Sequence, residues 1–233
     1  MKQIANKAMK INSTPAKITA AIFDMDGLLI DSERMSLSCW HDAAQELGHS
    51  ISEHVPLGMI GMHSSKTEDY LRLELGEQFP VAALRSRTHK IYLERSQTAI
   101  ALRPGVIELL DFLQKQQIPC AVATSTRRSI AIHHLELTNL LHYFQFAVCG
   151  DEITHPKPAP DIYLKVIAKL NVNAADCIVF EDSNFGAQAG HAAGCRVIMV
   201  PDLRPASAET QALKLEIVES LHQAKQILES ELA

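Results

Sequence analysis

Five short apolar runs recur along the chain, at residues 18–23, 118–123, 146–148, 177–180 and 197–200, and each is continuous rather than alternating. Strands that are buried on both faces of a parallel sheet show this pattern. Helix-length segments separate the later runs, and two of them, residues 104–117 and 160–170, begin with a proline, which is favoured in the first helical turn. This alternation predicts a doubly wound, Rossmann-like α/β core around a parallel sheet.

The C-terminal segment adds two elements to this prediction. Residues 215–218, Leu-Glu-Ile-Val, indicate a further edge strand. Ser220 is followed three residues later by Gln223, a capping-box pattern that predicts the start of a last helix.

The alternation of strands and helices stops between residues 32 and 102. Apolar residues recur there at helical spacing, and Gly48 follows one such stretch as a C-terminal cap. A connection between neighbouring strands is usually far shorter, so we expect residues 32–102 to form a separate helical cap domain. The α/β core then comprises residues 18–31 and 103–233. The two junctions come close together in this arrangement and could act as a hinge.

Composition excludes several classes of protein. The chain is 47% hydrophobic and 21% charged, so it can bury a core and is not a disordered protein. A net charge of −5 argues against nucleic acid as a partner, and no apolar run is long enough to span a membrane. The polar residues 1–17 lack the apolar region of a secretory signal and are predicted to be a loose leader. Five scattered cysteines without a CxxC pair are typical of reduced thiols, so we expect a cytoplasmic protein.

Polar side chains follow four of the predicted strands. In an open parallel sheet the carboxyl ends of the strands line one crevice, so these groups should converge there. Each group alone is often a helix cap or a turn, but four groups at one edge indicate a site. The side chains concerned are Asp24, Asp26, Thr124, Ser125, Lys157, Glu181 and Asp182.

The chemistry that fits this set is phosphoryl transfer. Clustered carboxylates repel one another unless a hard cation lies among them, and oxygen ligands without Cys or His favour Mg²⁺. Asp24, Asp182 and Glu181 are the candidate ligands. The hydroxyl of Thr124, the N–H of Ser125 and the ammonium of Lys157 are candidates for binding phosphate oxygens.

On these residues the chain resembles the haloacid dehalogenase superfamily, and specifically its phosphatase branch. The resemblance covers nearly the whole chain and includes Asp24-x-Asp26-Gly27, Thr124, Lys157 with Pro158, and Glu181-Asp182. It implies that Asp24 is a nucleophile that forms an aspartyl-phosphate. It also implies that Asp26 acts as general acid and base while its backbone carbonyl ligates the metal. Residues 32–102 would be the family's helical cap, which closes over the crevice and selects the substrate.

Two alternatives to a phosphatase remain open at this point, a phosphosugar mutase and a non-catalytic binding module. Asp26 favours phosphate esters over carbon–halogen bonds, because dehalogenation needs no leaving-group acid. A mutase similar to the β-phosphoglucomutases shares the core motifs, but Ser36 stands where those mutases carry a proton-relay His. The cap loop that follows supplies only His63 and Lys66 toward a second phosphate, so a hydrolase is preferred. A signalling receiver or other non-catalytic binding module fits less well, because a receiver has no use for the long insertion.

The expected ligand is a small phosphorylated metabolite, either a sugar phosphate or a nucleoside monophosphate. Cap residues would select it, and we expect the protein to be a monomer. The polar candidates near the predicted mouth of the crevice are Arg34, His63, Lys66, Thr126 and Arg127.

Overall fold

The computed structural model describes residues 18–232 with the exception of residues 61, 63 and 99. The predicted leader, residues 1–17, therefore lies outside the described residues, and so does His63. No helix in the described part of the chain is both long enough and apolar enough to cross a bilayer.

A six-stranded sheet forms the centre of the structure, in the order β3-β2-β1-β4-β5-β6, and every neighbouring pair is parallel. The predicted α/β fold is confirmed, and each predicted strand is present within a few residues of its expected bounds. The chain reverses its direction of strand addition at β1, which lies between β2 and β4. The strands are β1 (Ala20–Phe23), β2 (Cys120–Thr124), β3 (Phe144–Cys149), β4 (Cys177–Glu181), β5 (Arg196–Met199) and β6 (Glu216–Ile217).

Helices cover both faces of the sheet. Alternate residues of each strand point to opposite faces, so Phe23 packs in one apolar cluster with α5, α6 and α10, while Ile22 packs in the other with α7 and α8. The five cysteines are buried and free, as expected of reduced thiols. The helices after the insertion are α5 (Val106–Lys115), α6 (Arg128–Leu137), α7 (Asp161–Leu170), α8 (Asn184–Ala192), α9 (Ala208–Ala212) and α10 (Leu221–Leu232).

The start of α10 differs in one detail from the predicted capping box. Ser220 Oγ accepts a hydrogen bond from the Gln223 N–H at 3.3 Å, as predicted. The Gln223 side chain, however, accepts from the N–H of Glu219 rather than from that of Ser220. The cap is therefore formed, with its reciprocal bond moved by one residue.

Four helices lie between β1 and α5. They pack on one another through two apolar clusters of their own, one around Cys39, Leu84 and Ile91 and one around Val55 and Leu71. That they act as a cap domain remains a prediction. These helices are α1 (Ser32–Glu46), α2 (His54–Gly58), α3 (Ser64–Leu75) and α4 (Val81–Ser96).

The chain enters and leaves this helical segment side by side. Ile30 and Leu102 form an antiparallel bridge, the Asp31 N–H donates to the Ala101 carbonyl at 2.8 Å, and the Arg103 N–H donates to the Leu29 carbonyl at 3.0 Å. The two junctions thus form a short two-stranded connection. That this connection acts as a hinge stays a prediction.

Candidate active site

The Lys157 ammonium lies at the carboxyl ends of three neighbouring strands. Its Nζ donates to Asp24 Oδ1 at 2.5 Å, to Glu181 Oε1 at 2.6 Å and to the Ala123 carbonyl at 3.1 Å. Asp24 follows β1, Ala123 belongs to β2 and Glu181 ends β4. All three donors of the ammonium are therefore used, and each joins Lys157 to a different strand.

Lys157 reaches this position from the loop between β3 and α7, where Pro156 and Pro158 flank it. The Lys157–Pro158 peptide bond is cis. Burial alone would lower the pKa of Lys157, but the adjacent carboxylates of Asp24 and Glu181 outweigh that effect and raise it above the usual range. The side chain is therefore a fixed positive charge.

Glu181 is held by four hydrogen bonds. Its Oε1 accepts from Lys157 and from the Tyr163 hydroxyl at 2.6 Å, and its Oε2 accepts from the Ser183 N–H at 3.1 Å and the Ser183 hydroxyl at 3.0 Å. A Cβ at Gly186 would lie 1.7 Å from Oε1, so only glycine lets α8 approach this carboxylate. Both oxygens of Glu181 are thus engaged within the protein.

Asp24 and Asp182 lie beside Glu181 in a buried acidic group. One oxygen of each of the three carboxylates lies within 4.8 Å of the others. Burial raises the pKa of Asp24 to about 7, with Lys157 opposing the shift, and burial together with Glu181 and Asp24 raises the pKa of Asp182 well above its usual range. A hard divalent cation would remove this repulsion, and the all-oxygen donor set fits Mg²⁺.

The backbone beside Asp182 requires a glycine. Gly27 has φ +80°, and a Cβ built on it would lie 2.3 Å from Asp182 Oδ2. The turn that follows β1 therefore packs so close to Asp182 that only a glycine fits at position 27.

Asp26 lies at the same edge of the sheet and is held by three hydroxyls. Ser32 Oγ donates to its Oδ1 at 2.7 Å, and Thr124 and Thr126 donate to its Oδ2 at 3.2 and 2.7 Å. A hydroxyl can donate to a carboxylate and accept from a carboxylic acid, so this set can hold Asp26 in either protonation state. Thr126, expected from the sequence near the substrate, contacts Asp26, and its role toward a substrate stays a prediction.

The other predicted substrate residues lie outside the carboxylate cluster. Arg34 forms ion pairs with Asp31 and Asp202, both at 2.9 Å, and so ties the start of α1 to the segment after β5. Arg103, at the second junction, also pairs with Asp202. Lys66 and Arg127 are exposed, and neither side chain forms a hydrogen bond or ion pair with another described residue.

Ser125 lies between Thr124 and Thr126 in the loop after β2, where its residue is exposed. A Cβ at Gly150 would lie 2.0 Å from the Ser125 carbonyl oxygen, so the end of β3 packs closely against this loop. The loop thus places Ser125 at the same edge as Thr124, as expected.

Glu33 and Tyr163 were not among the site residues predicted from the sequence. Burial and the nearby Asp26 and Asp24 raise the pKa of Glu33 to about 8, which places a third acidic side chain beside Asp24 and Asp26. An acidic residue in a first helical turn is too common to signal this role. Tyr163 had a weak signal, since a Tyr on the apolar face of α7 needs a partner for its hydroxyl.

Comparison with known proteins gives the same assignment. A family model described as haloacid dehalogenase-like hydrolase matches residues 21–200. A phosphorylated carbohydrates phosphatase of Thermotoga maritima is 31% identical over 214 residues, which cover 90% of this chain and 99% of that protein. A fructose-1-phosphate phosphatase of Escherichia coli (strain K12) is 32% identical over 185 residues, which cover 77% of this chain and 94% of that protein.

A solved structure shows the same fold. The β-phosphoglucomutase of Clostridium difficile superposes with a TM-score of 0.74 at 22% identity, over 92% of this chain and 96% of that chain. The family match and the relatives confirm the resemblance predicted from the sequence, and the solved structure shows the same fold. The chain belongs to the haloacid dehalogenase-like hydrolase family.

Proposed function

We propose that the protein is a Mg²⁺-dependent phosphomonoester hydrolase that acts through an aspartyl-phosphate on Asp24. Its substrate is a small phosphorylated metabolite, a sugar phosphate or a nucleoside monophosphate. The observation that carries the proposal is the buried Lys157–Asp24 pair beside Asp182 and Asp26. Phosphoryl transfer needs a nucleophilic carboxylate, an ammonium and further carboxylates close together. Asp24, Lys157, Asp182 and Asp26 supply these groups at one edge of the sheet.

The metal would be held by Asp24, by Asp182 and by the backbone carbonyl of Asp26. Glu181, also a candidate ligand, belongs to the same acidic group, but its two oxygens already accept four hydrogen bonds. We therefore assign Glu181 the role of positioning Lys157. When bound, Mg²⁺ supplies positive charge that keeps the carboxylates ionised and binds a phosphate oxygen.

In the first step a carboxylate oxygen of Asp24 attacks phosphorus, and the bond from phosphorus to the substrate oxygen breaks. Asp26 gives its proton to the departing alkoxide. Lys157 holds Asp24 Oδ1 and neutralises charge, while Thr124 and the N–H of Ser125 bind phosphate oxygens.

In the second step water attacks the phosphorus of the aspartyl-phosphate, and the bond from phosphorus to Asp24 breaks. Asp26, now a carboxylate, takes the proton of that water, so both residues return to their starting states. The hydroxyls of Ser32 and Thr126 support Asp26 through this cycle because they can donate or accept, while the Thr124 hydroxyl turns from Asp26 to a phosphate oxygen when substrate binds.

The names of the relatives support a phosphatase, since two of them are named for phosphorylated carbohydrates and for fructose 1-phosphate. A phosphosugar mutase is the alternative, because the core geometry would serve both reactions. Analysis of products from a phosphosugar distinguishes them: a hydrolase releases inorganic phosphate, and a mutase returns the phosphoryl group to sugar. The expected monomer and the expected cytoplasmic location stay predictions.

Removal of the nucleophile tests the mechanism. We expect Asp24→Asn, or chelation of the divalent cation, to abolish phosphate release from p-nitrophenyl phosphate. The matched control is Asp69→Asn on α3, an exposed carboxylate outside the site, which should keep wild-type activity. Turnover that survives both chelation and Asp24→Asn rules out this mechanism.

Removal of the general acid should affect turnover more than binding. We expect Asp26→Asn to lower kcat by about 10²-fold or more while KM changes only a few-fold, because the lost proton transfer acts in the transition state. Steady-state kinetics measures kcat and KM. The substrate should be a sugar phosphate, because its leaving alkoxide is basic and needs the proton. Normal turnover by this variant contradicts the role assigned to Asp26.

Metal binding should depend on pH. In the metal-free protein the pKa of Asp24 is about 7 and that of Asp182 is raised, so below these values Mg²⁺ must displace protons. Calorimetric titration should therefore show an affinity for Mg²⁺ that is about tenfold higher at pH 8 than at pH 6. Asp182→Asn should weaken Mg²⁺ binding at both pH values. Equal affinity at the two pH values contradicts the assigned ligands.

A further inference from the structure

The Asp202 carboxylate contacts both sides of the connection to the helical insertion. Its Oδ1 and Oδ2 accept hydrogen bonds from the two Nη atoms of Arg34 at 2.9 and 3.1 Å, and its Oδ1 lies 2.7 Å from Nη2 of Arg103. Arg34 lies in the first turn of α1, and Arg103 lies on the strand that returns to the core. Because the Asp202 side chain is only 2% exposed, water screens these contacts little. One buried carboxylate therefore joins the two sides.

Asp202 reaches the connection from the carboxyl end of β5. The Val200 N–H donates to the Glu181 carbonyl at 2.7 Å, so the chain after β5 is still attached to β4 at this point. Pro201, the next residue, restricts the backbone immediately before Asp202. The carboxylate is thus fixed to the edge of the sheet that carries the acidic group.

The first turn of α1 lies against the proposed general acid. Ser32 Oγ donates to Asp26 Oδ1 at 2.7 Å, and Ser32 precedes Arg34 in the same turn. Glu33, between them, packs on the turn after β1, since a Cβ built on Gly27 would lie 3.3 Å from Glu33 Cγ. A movement of this helical turn would therefore move a hydrogen-bond donor of Asp26.

The charges around Asp202 are balanced. Arg34 Nη1 also donates to Asp31 Oδ1 at 2.9 Å, so two guanidinium groups face two carboxylates. Neutralising Asp202 would leave Arg34 with Asp31 and would take the carboxylate away from Arg103. The two guanidinium groups would then repel each other without a negative charge between them. Loss of this one charge should loosen both sides of the connection.

We propose that Asp202 is a positioning residue for the general acid. It fixes the first turn of α1 through Arg34 and the returning strand through Arg103, and it thereby keeps Ser32 in place to orient Asp26. The inference rests on the proposed phosphatase function. It adds to that function a residue that acts through the connection and not on the reacting groups.

Asp202→Asn tests this role through the leaving group. Benzyl phosphate expels a basic alkoxide that needs a proton, whereas p-nitrophenyl phosphate expels a weakly basic phenolate that needs it much less. The readout is the kcat/KM for benzyl phosphate divided by that for p-nitrophenyl phosphate. Asp202→Asn should lower this ratio by about tenfold, because a displaced acid loses part of the roughly 10²–10⁴-fold that proton transfer contributes. Partial unfolding cancels in the ratio, since both substrates report the same folded molecules.

The effect should depend on Asp26. In an Asp26→Asn background the substitution Asp202→Asn should cause no further fall in the ratio, because no acid remains to be oriented. Arg103→Gln, which keeps the bonds between Asp202 and Arg34, should also lower the ratio. That side chain is 21% exposed, so the variant provides the same test at a position where folding is less at risk.

The matched control is Glu216→Gln on β6. Glu216 accepts two hydrogen bonds from Arg196 at 2.6 and 2.9 Å, and Arg196 begins β5 at the end of the strand away from the site. The substitution breaks a similar two-bond pair without touching the connection. It should leave the ratio at the wild-type value.

A wild-type ratio in both Asp202→Asn and Arg103→Gln overturns the inference and leaves the proposed function standing. A further fall of the ratio when Asp202→Asn is added to Asp26→Asn also overturns it, because the effect would then not pass through the acid. A wild-type ratio in Asp26→Asn itself refutes the general acid of the proposed function, and the inference with it.

Discussion

The buried ammonium of Lys157 determines how the rest of the site is arranged. It joins Asp24, Glu181 and the end of β2 through three hydrogen bonds, in a region where its side chain is 4% exposed. Loss of one partner from a buried ion pair typically costs about 3–5 kcal/mol, so each of these groups depends on the others. One ammonium cannot balance Asp24, Glu181 and Asp182 together. Burial, together with this remaining negative charge, raises the pKa of Asp24 and Asp182, and the uncompensated charge suits the site to a divalent cation.

Close backbone approach makes this concentration of charge possible. Gly186 lets α8 pack against Glu181, and Gly27 lets the turn after β1 pack against Asp182. The sheet topology brings these segments together, because β1 lies between β2 and β4 and their carboxyl ends open into one crevice. The helical insertion leaves the core directly after this turn and returns beside it through the bridge of Ile30 and Leu102. The same short stretch of chain thus carries the nucleophile, the general acid and the entry to the predicted cap.

Sequence reasoning found the features that local pattern determines. Continuous apolar runs predicted the strands, and the polar residues after them predicted the crevice, since parallel topology fixes where strand ends meet. It did not find Tyr163, whose role follows from a hydrogen bond between α7 and Glu181 at the end of β4. Nor could it find the ion pair between Arg34 and Asp202, because Asp202 is distant in sequence. The role of Arg34 toward a substrate stays a prediction. It also missed that Gly186 makes room for the Glu181 carboxylate of the site.

We infer that Asp24 accepts the phosphoryl group while Lys157 and the metal balance its charge. Rapid acid quenching during turnover, followed by borohydride reduction and peptide mass spectrometry, locates an acyl phosphate on the chain. The account predicts conversion of residue 24 to homoserine, only when substrate and Mg²⁺ are both present. Steady turnover with no modified residue at position 24, or with the phosphoryl group on another side chain, would contradict it.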